Sequence, residues 1–276
     1  MFIIIKEFSM KLIKASILLL SICLVVHGCL KSPPPQEEAG EALIFKEASS
    51  LFEKGKFDKA AEKFQEFRQS YPTSPLYIRA QIKTIEAFYF DGKYTEALAQ
   101  IQTFIDLHPK SEHLPFMLFL KGMCYFNQRN KTNRDPTYTM KALEFFSDLI
   151  RSYPSSTYAV IAEEKSKICI KELFDYELNI AEFYYRTSKY EASQRRLEEM
   201  FEKYRDVDGH EKIIYLLGKI HMYKGDNEKA AFYFKSLIDN YPKSPYAYKS
   251  KKLLEILSKN NHPDYWVRIM DFFNRY

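Results

Sequence analysis

Apolar side chains between Ala42 and Leu257 recur three and four positions apart, the spacing of helices that each bury one face. Phe57, Ala60, Ala61, Phe64 and Phe67 fall on one side of such a helix, and Tyr94, Ala97, Leu98, Ile101, Phe104 and Ile105 on one side of another. Breaks carrying Gly or Pro separate the runs, as at Gly55-Lys56, Gly92-Lys93 and Tyr71-Pro72-Thr73-Ser74-Pro75. In the last of these, Ser74 can cap and Pro75 can open the helix that follows. Neither Pro nor Gly interrupts Thr157 to Thr187, which predicts one long helix there.

The helices share a fixed frame. Ala48, Ala60, Phe64 and Pro72 stand 12, 4 and 8 residues apart, and Gly218, Ala230, Phe234 and Pro242 repeat those intervals without change. Ile85, Ala97, Ile101 and Pro109 keep the frame, as do Ala181, Ser193, Leu197 and Arg205, with Arg where the others have Pro. Another unit holds Ala142, Phe146 and Pro154, but its Gly122 lies 20 rather than 12 residues before Ala142, so eight residues are inserted near Asn127 to Pro136. Ala142 and Ser193 are 51 apart, 14 more than the 37 from Ala60 to Ala97; 14 residues make close to four helical turns, so the interior stripe stays in register along the long helix.

This frame resembles the tetratricopeptide pattern, in which small side chains let paired helices approach, a ring fills the gap beneath, and Pro ends the second helix. The resemblance implies an all-α fold: a right-handed tetratricopeptide-repeat superhelix of five helical hairpins over residues 41–257. The first helix of each unit then lines a concave groove suited to an extended or helical peptide. Phe45, Phe52, Arg79, Ile82 and Tyr89 fall on the groove side of the first two units. Rings there would receive an aromatic terminus and Arg79 could pair with a carboxylate, or the same side chains could belong to the core. Residues 258–276 add Pro263, then Tyr265, Trp266, Ile269, Met270 and Phe273 at helical spacing: a C-terminal capping helix over the last apolar face, or a helix that binds a partner.

Residues 1–28 read as a signal peptide. From Met10, Lys11 and Lys14 precede an apolar run from Ala15 to Val26, too short for the ~20 residues that cross a bilayer, and a Pro-rich polar stretch follows. Val26-His27-Gly28-Cys29 resembles the lipobox of bacterial lipoproteins, with Val26 where Leu is usual and His27 where a small residue is usual. The resemblance implies cleavage before Cys29 and its acylation, with residues 29–40 as a Pro-rich tether off the membrane. Leu30 follows, where lipoproteins held at the inner membrane carry Asp, so the same resemblance points to the outer membrane. Cys124 and Cys169 then remain, both among apolar residues: two buried thiols, or a disulfide, which an exported compartment permits.

Composition and charge narrow the function classes. Only 8 Gly stand against 22 Phe and 21 Tyr, so hairpin-turn residues are few and rings for packing between helices are many. Formal charge is +5, or +3 without residues 1–28, and the 41 basic and 36 acidic residues are interspersed, with no stripe that would favour nucleic acid. Gly55-Lys56 and Gly92-Lys93 lack the spacing of a phosphate loop. His108, His113, His210, His221 and His262 share no zinc-ligand spacing. Glu163-Glu164 and Glu198-Glu199 are adjacent pairs that point to different sides of a helix, which makes no acid and base pair. No enzyme, cofactor or metal is expected.

Over roughly Ala42 to Leu257 the order of features resembles the BamD family, lipoproteins of the outer-membrane protein assembly machine, which also includes competence lipoproteins. The resemblance is carried by Asn133-Arg134-Asp135-Pro136, Ala142-Leu143-Glu144-Phe145-Phe146, Arg151-Ser152-Tyr153-Pro154-Ser155-Ser156 and Tyr176-Glu177-Leu178-Asn179-Ile180-Ala181-Glu182-Phe183-Tyr184. What it implies is a non-catalytic scaffold on the outer membrane, lipid-anchored and facing the periplasm. Its partners would be the periplasmic domain of the barrel-forming assembly protein, other assembly lipoproteins and unfolded outer-membrane proteins. Within Arg195-Arg196-Leu197-Glu198, Arg196 matches a family arginine implicated in contact with the barrel partner; a solvated helix arginine is the plainer reading. The repeat frame alone also admits a periplasmic lipoprotein coordinating cell division or wall synthesis, and a helical wall-cleaving enzyme is a third class.

Overall fold

Gly55, Gly92 and Gly225 take φ of 71°, 76° and 78°, the left-handed region open to glycine. Ser188 stands at the same place in the fourth unit with φ 60°. At each, the next residue's N–H returns to a carbonyl five residues back: Lys56 to Leu51, Lys93 to Phe88, Lys189 to Tyr184 and Asp226 to His221, all at 2.9 Å. This closes the first helix of a pair and turns the chain into the second.

The computed structural model describes residues 36–129 and 135–259. These hold eleven helices and no strand: α1 (Gln36–Glu53), α2 (Phe57–Ser70), α3 (Tyr77–Phe90), α4 (Tyr94–Leu107), α5 (Leu114–Asn127), α6 (Thr137–Ser152), α7 (Thr157–Arg186), α8 (Tyr190–Lys203), α9 (His210–Tyr223), α10 (Asn227–Asn240) and α11 (Pro245–Lys259). Five hairpins and a final helix follow in chain order. Cys29, residues 1–28 and the aromatic segment 260–276 lie outside the described residues, as do residues 130–134 of the insertion. Helix α1 takes up Gln36 to Gly40 from the stretch expected as tether.

By its internal contacts the chain divides between Thr84 and Ile85, inside α3. In the first unit Ala48, Ala60, Ala61, Phe64 and Phe67 are buried between α1 and α2. The expected cap is made: Ser74 Oγ accepts from the Leu76 N–H at 2.9 Å, and the same hydroxyl donates to Glu41 of α1.

In the second unit each helix from α4 onward packs on its chain neighbour, and α5–α7, α7–α9 and α9–α11 also touch. First helices of successive hairpins thus meet one another. Phe146 of α6 and Phe234 of α10 are fully buried in the positions the frame gave to rings. The long helix α7 spans 30 residues, starting where Ser156 Oγ accepts from the Tyr158 N–H. Its lower half buries Cys169, and its upper half buries Phe174, Leu178, Ala181 and Tyr185 with α8 and α9. Cys124 and Cys169 are buried free thiols; of the two readings left open, the disulfide is not formed.

Candidate functional site

On α1, Phe45 and Phe52 are two helical turns apart and share a face. On α3, Arg79 and Lys83 are one turn apart. The two pairs meet: the Arg79 guanidinium lies 5.5 Å from the centre of the Phe45 ring and the Lys83 ammonium 4.6 Å from that of Phe52. Both distances suit cation–π attraction. Each ring also has a partner in α2, Phe45 meeting Phe64 and Phe67 edge-on at 5.5 and 5.3 Å, and Phe52 meeting Phe57 at 5.2 Å. The half-buried rings therefore hold α1 to α2 on one side and carry cations on the other. Arg79 is exposed, and Ile82 between the two cations is half-buried.

Tyr89 belongs to the second unit. Its phenol oxygen accepts from Asn127 Nδ2 at 2.9 Å, and its ring meets Phe90 and Tyr94 at 5.3 and 5.9 Å. Burial raises the phenol pKa, and the Asn127 bond opposes the shift. Arg195 is exposed on α8, whereas the half-buried Arg196 lies with its guanidinium 5.9 Å from the Tyr184 ring centre of α7.

Two cations escaped the sequence reading. Lys83 could have been found from its spacing, one turn after Arg79 as Phe52 is two turns after Phe45. Lys219 is buried on α9 between Tyr185 and Tyr215, its ammonium 4.9 and 5.7 Å from their ring centres. Burial, and then the charge of Lys249 on α11, push its pKa down to about 8. The signal was a single lysine inside the apolar run Ile213 to Met222. Two turns before it, Lys212 pairs with Glu182 of α7 at 2.6 Å. Polar groups of α7 and α9 thus lie in one row along facing helices.

Burial raises the Cys124 and Cys169 thiols to about 12, far from the range of a reactive thiolate. Among the described residues no cluster of His, Cys, Asp and Glu could hold a metal ion, and no helix is long and apolar enough to cross a membrane. What the surfaces offer is cations over aromatic rings, which suits recognition of carboxylates and ring-bearing polypeptide.

Several known proteins of similar sequence bear the name of an assembly factor. The chain is 29% identical over 248 residues to the outer membrane protein assembly factor BamD of Rickettsia prowazekii, an alignment covering 88% of this chain and 98% of the relative. The protein of the same name from Neisseria meningitidis serogroup A is 25% identical over 74% of this chain and 80% of its own, and that from Vibrio cholerae is 28% identical over 69% and 83%. Among solved structures, a tetratricopeptide-repeat protein of Thermus thermophilus covers 78% of this chain and 98% of its own at 15% identity and a TM-score of 0.36. The family model described as outer membrane lipoprotein, YfiO, matches residues 37–231, from the first turn of α1 into α10. A match over well more than half of the chain places it in the YfiO family of outer membrane lipoproteins.

Proposed function

We propose that this chain is a scaffold of outer-membrane protein assembly, held at the outer membrane by acyl groups on Cys29 and facing the periplasm. The observation that carries the reading is the family match over residues 37–231, together with a relative that bears the name of an assembly factor and is covered over 98% of its length. On this reading residues 1–28 direct export, and the segment from Cys29 to the start of α1 tethers a body of five hairpins. Its work is to hold polypeptide, without catalysis. The row of Phe45, Phe52, Arg79 and Lys83 supports that, because rings beside cations suit the aromatic, carboxylate-ended strand of an unfolded outer-membrane protein. Arg195 and Arg196 on α8 are the side chains proposed to meet the periplasmic domain of a barrel-forming partner.

The test is extraction of the full chain in mild detergent followed by affinity purification. A large integral β-barrel protein should co-purify in stoichiometric amount, and Cys29→Ser should shift the chain to the soluble periplasmic fraction. Recovery without any barrel protein would instead support a role in division or wall synthesis.

A further inference from the structure

Helices α7, α9 and α11 lie side by side, and one face of α9 carries Lys212, Tyr215 and Lys219, three and four residues apart. Lys212 is paired with Glu182 of α7. Lys219 is 6% exposed, with its ammonium over the rings of Tyr185 and Tyr215. The half-buried Tyr215 ring meets the half-buried Tyr246 ring of α11 at 5.2 Å. Lys249 of α11 is exposed, and its ammonium stands 5.7 Å from the centre of that second ring. Two cations from neighbouring helices thus sit over one pair of touching rings.

We propose that Lys219 and Lys249 together hold a carboxylate side chain of a bound polypeptide, while the Tyr215 and Tyr246 rings pack against the apolar residues that flank it. The inference rests on the reading of the chain as a holder of polypeptide, and on neither the lipid anchor nor the barrel partner.

Burial and the charge of Lys249 act in the same direction against the charged form of Lys219. A carboxylate placed between the two ammonium groups is drawn to both, and more strongly at a partly buried position than in water. Glu182, the acid of this row, is already held by Lys212 two turns away. Between Pro245 and Ser258, α11 adds Lys249, Lys251 and Lys252 against Glu255 alone, so an acidic segment approaches through a positive field. The rings choose polypeptide over a bare phosphate group. Phosphate would use the cations and leave both rings uncovered, whereas a glutamate beside an aromatic residue uses all four groups. Burial pushes the Tyr215 phenol up to about 12, so at neutral pH the ring stays uncharged and does not repel the acid.

The test uses the full chain in mild detergent and a short peptide blocked at both ends, with one glutamate between two phenylalanines, beside the same peptide carrying glutamine. In calorimetric titration the glutamate peptide should bind about tenfold tighter than the glutamine peptide. Lys249→Gln should abolish that preference with circular dichroism unchanged, since Lys249 is exposed, and Lys219→Met should abolish it as well. Arg79→Ala should leave it in place, because neither peptide has a free terminal carboxylate. Equal affinity for the two peptides, binding of neither, or a preference that survives either lysine substitution overturns the inference. So does a preference lost with Arg79→Ala, which would put the carboxylate on the first unit. Binding of inorganic phosphate or of phosphatidylglycerol vesicles that needs both lysines, with the peptides not distinguished, would make this a site for phosphate groups and overturn it too. Failure to recover a barrel protein in affinity purification leaves these titrations unaffected, so the two readings fail separately.

Discussion

Phe234 of α10 lies against Gly218 of α9 so closely that a methyl group on the glycine would stand 2.5 Å from the ring. Phe146 and Gly122 repeat the relationship at the same distance in the third hairpin. In the second, Ile85 holds the glycine's position and the ring is replaced by Ile101, both fully buried. Volume is thus exchanged between the two helices of a pair rather than fixed on either. Gly218→Ala should destabilise the fold by about 1–3 kcal/mol through overpacking, read as a lower denaturant midpoint. Combined with Phe234→Leu, the loss should be smaller than the sum of the single losses, because the smaller side chain receives the added methyl.

Ser188 performs at φ 60° the turn that Gly55, Gly92 and Gly225 perform in other hairpins. A side chain in the left-handed region costs about 1–2 kcal/mol, of which glycine's extra freedom in the unfolded chain takes back part. Ser188→Gly should therefore raise stability by about 0.5–1 kcal/mol, visible as a melting temperature a few degrees higher. An unchanged or lowered value would mean that the serine makes good its strain by contacts of its own.

Much of this architecture was legible because it depends on intervals. The distance from Ala181 to Ser193 matches that from Gly218 to Ala230, and the structure shows why serine is tolerated: buried Ser193 donates its hydroxyl to the Ala181 carbonyl at 2.8 Å. The long helix was readable from the lack of a breaker between Thr157 and Thr187, and α7 ends at Arg186. What the intervals could not supply was which side chains cross from one helix to the next. Arg79 was singled out without Lys83, and Phe45 and Phe52 were read as groove or core when their rings meet α2 on one side and cations of α3 on the other. Pairings of that kind depend on rotamers and helix rotation, which a periodic pattern leaves open.

Lys219 gives the fold a pH dependence of definite sign. Its pKa is about 8 when folded, against an ordinary 10.5, so between those values the unfolded chain binds more protons and stability rises with pH. Below about 8 the lysine is charged in both states and the burial penalty, on the order of 3 kcal/mol, is present in full. Lys219→Met should remove both the penalty and the slope, so the variant exceeds the parent in stability at pH 7 and more than half of the gap is gone by pH 9.5. Above pH 10 the Tyr215 phenol, pushed up to about 12 by burial, acts in the opposite sense and ends the useful window. Urea titrations of parent and variant across pH 7–9.5 measure the difference; parallel curves would show that burial does not depress this lysine.

The row of rings and cations in the first unit makes a prediction that separates recognition from packing. Arg79 is exposed, so Arg79→Ala removes a guanidinium without opening the core formed by Phe64 and Phe67. If that guanidinium pairs with the carboxylate of an aromatic-ended peptide, the substitution should weaken binding about tenfold, or ~1.4 kcal/mol, in fluorescence anisotropy. The same peptide closed by an amide should bind the parent and Arg79→Ala equally. Lys83→Ala should act more weakly and on both peptides, because its ammonium faces the Phe52 ring and adds general positive charge. Phe45→Leu, by contrast, disturbs packing on α2 as well as the ring under Arg79, so its effect must be divided using stability measured on the same sample. Equal losses for acid and amide peptides with Arg79→Ala would assign the guanidinium to holding the Phe45 ring, and the rings to the hydrophobic packing of α1 alone.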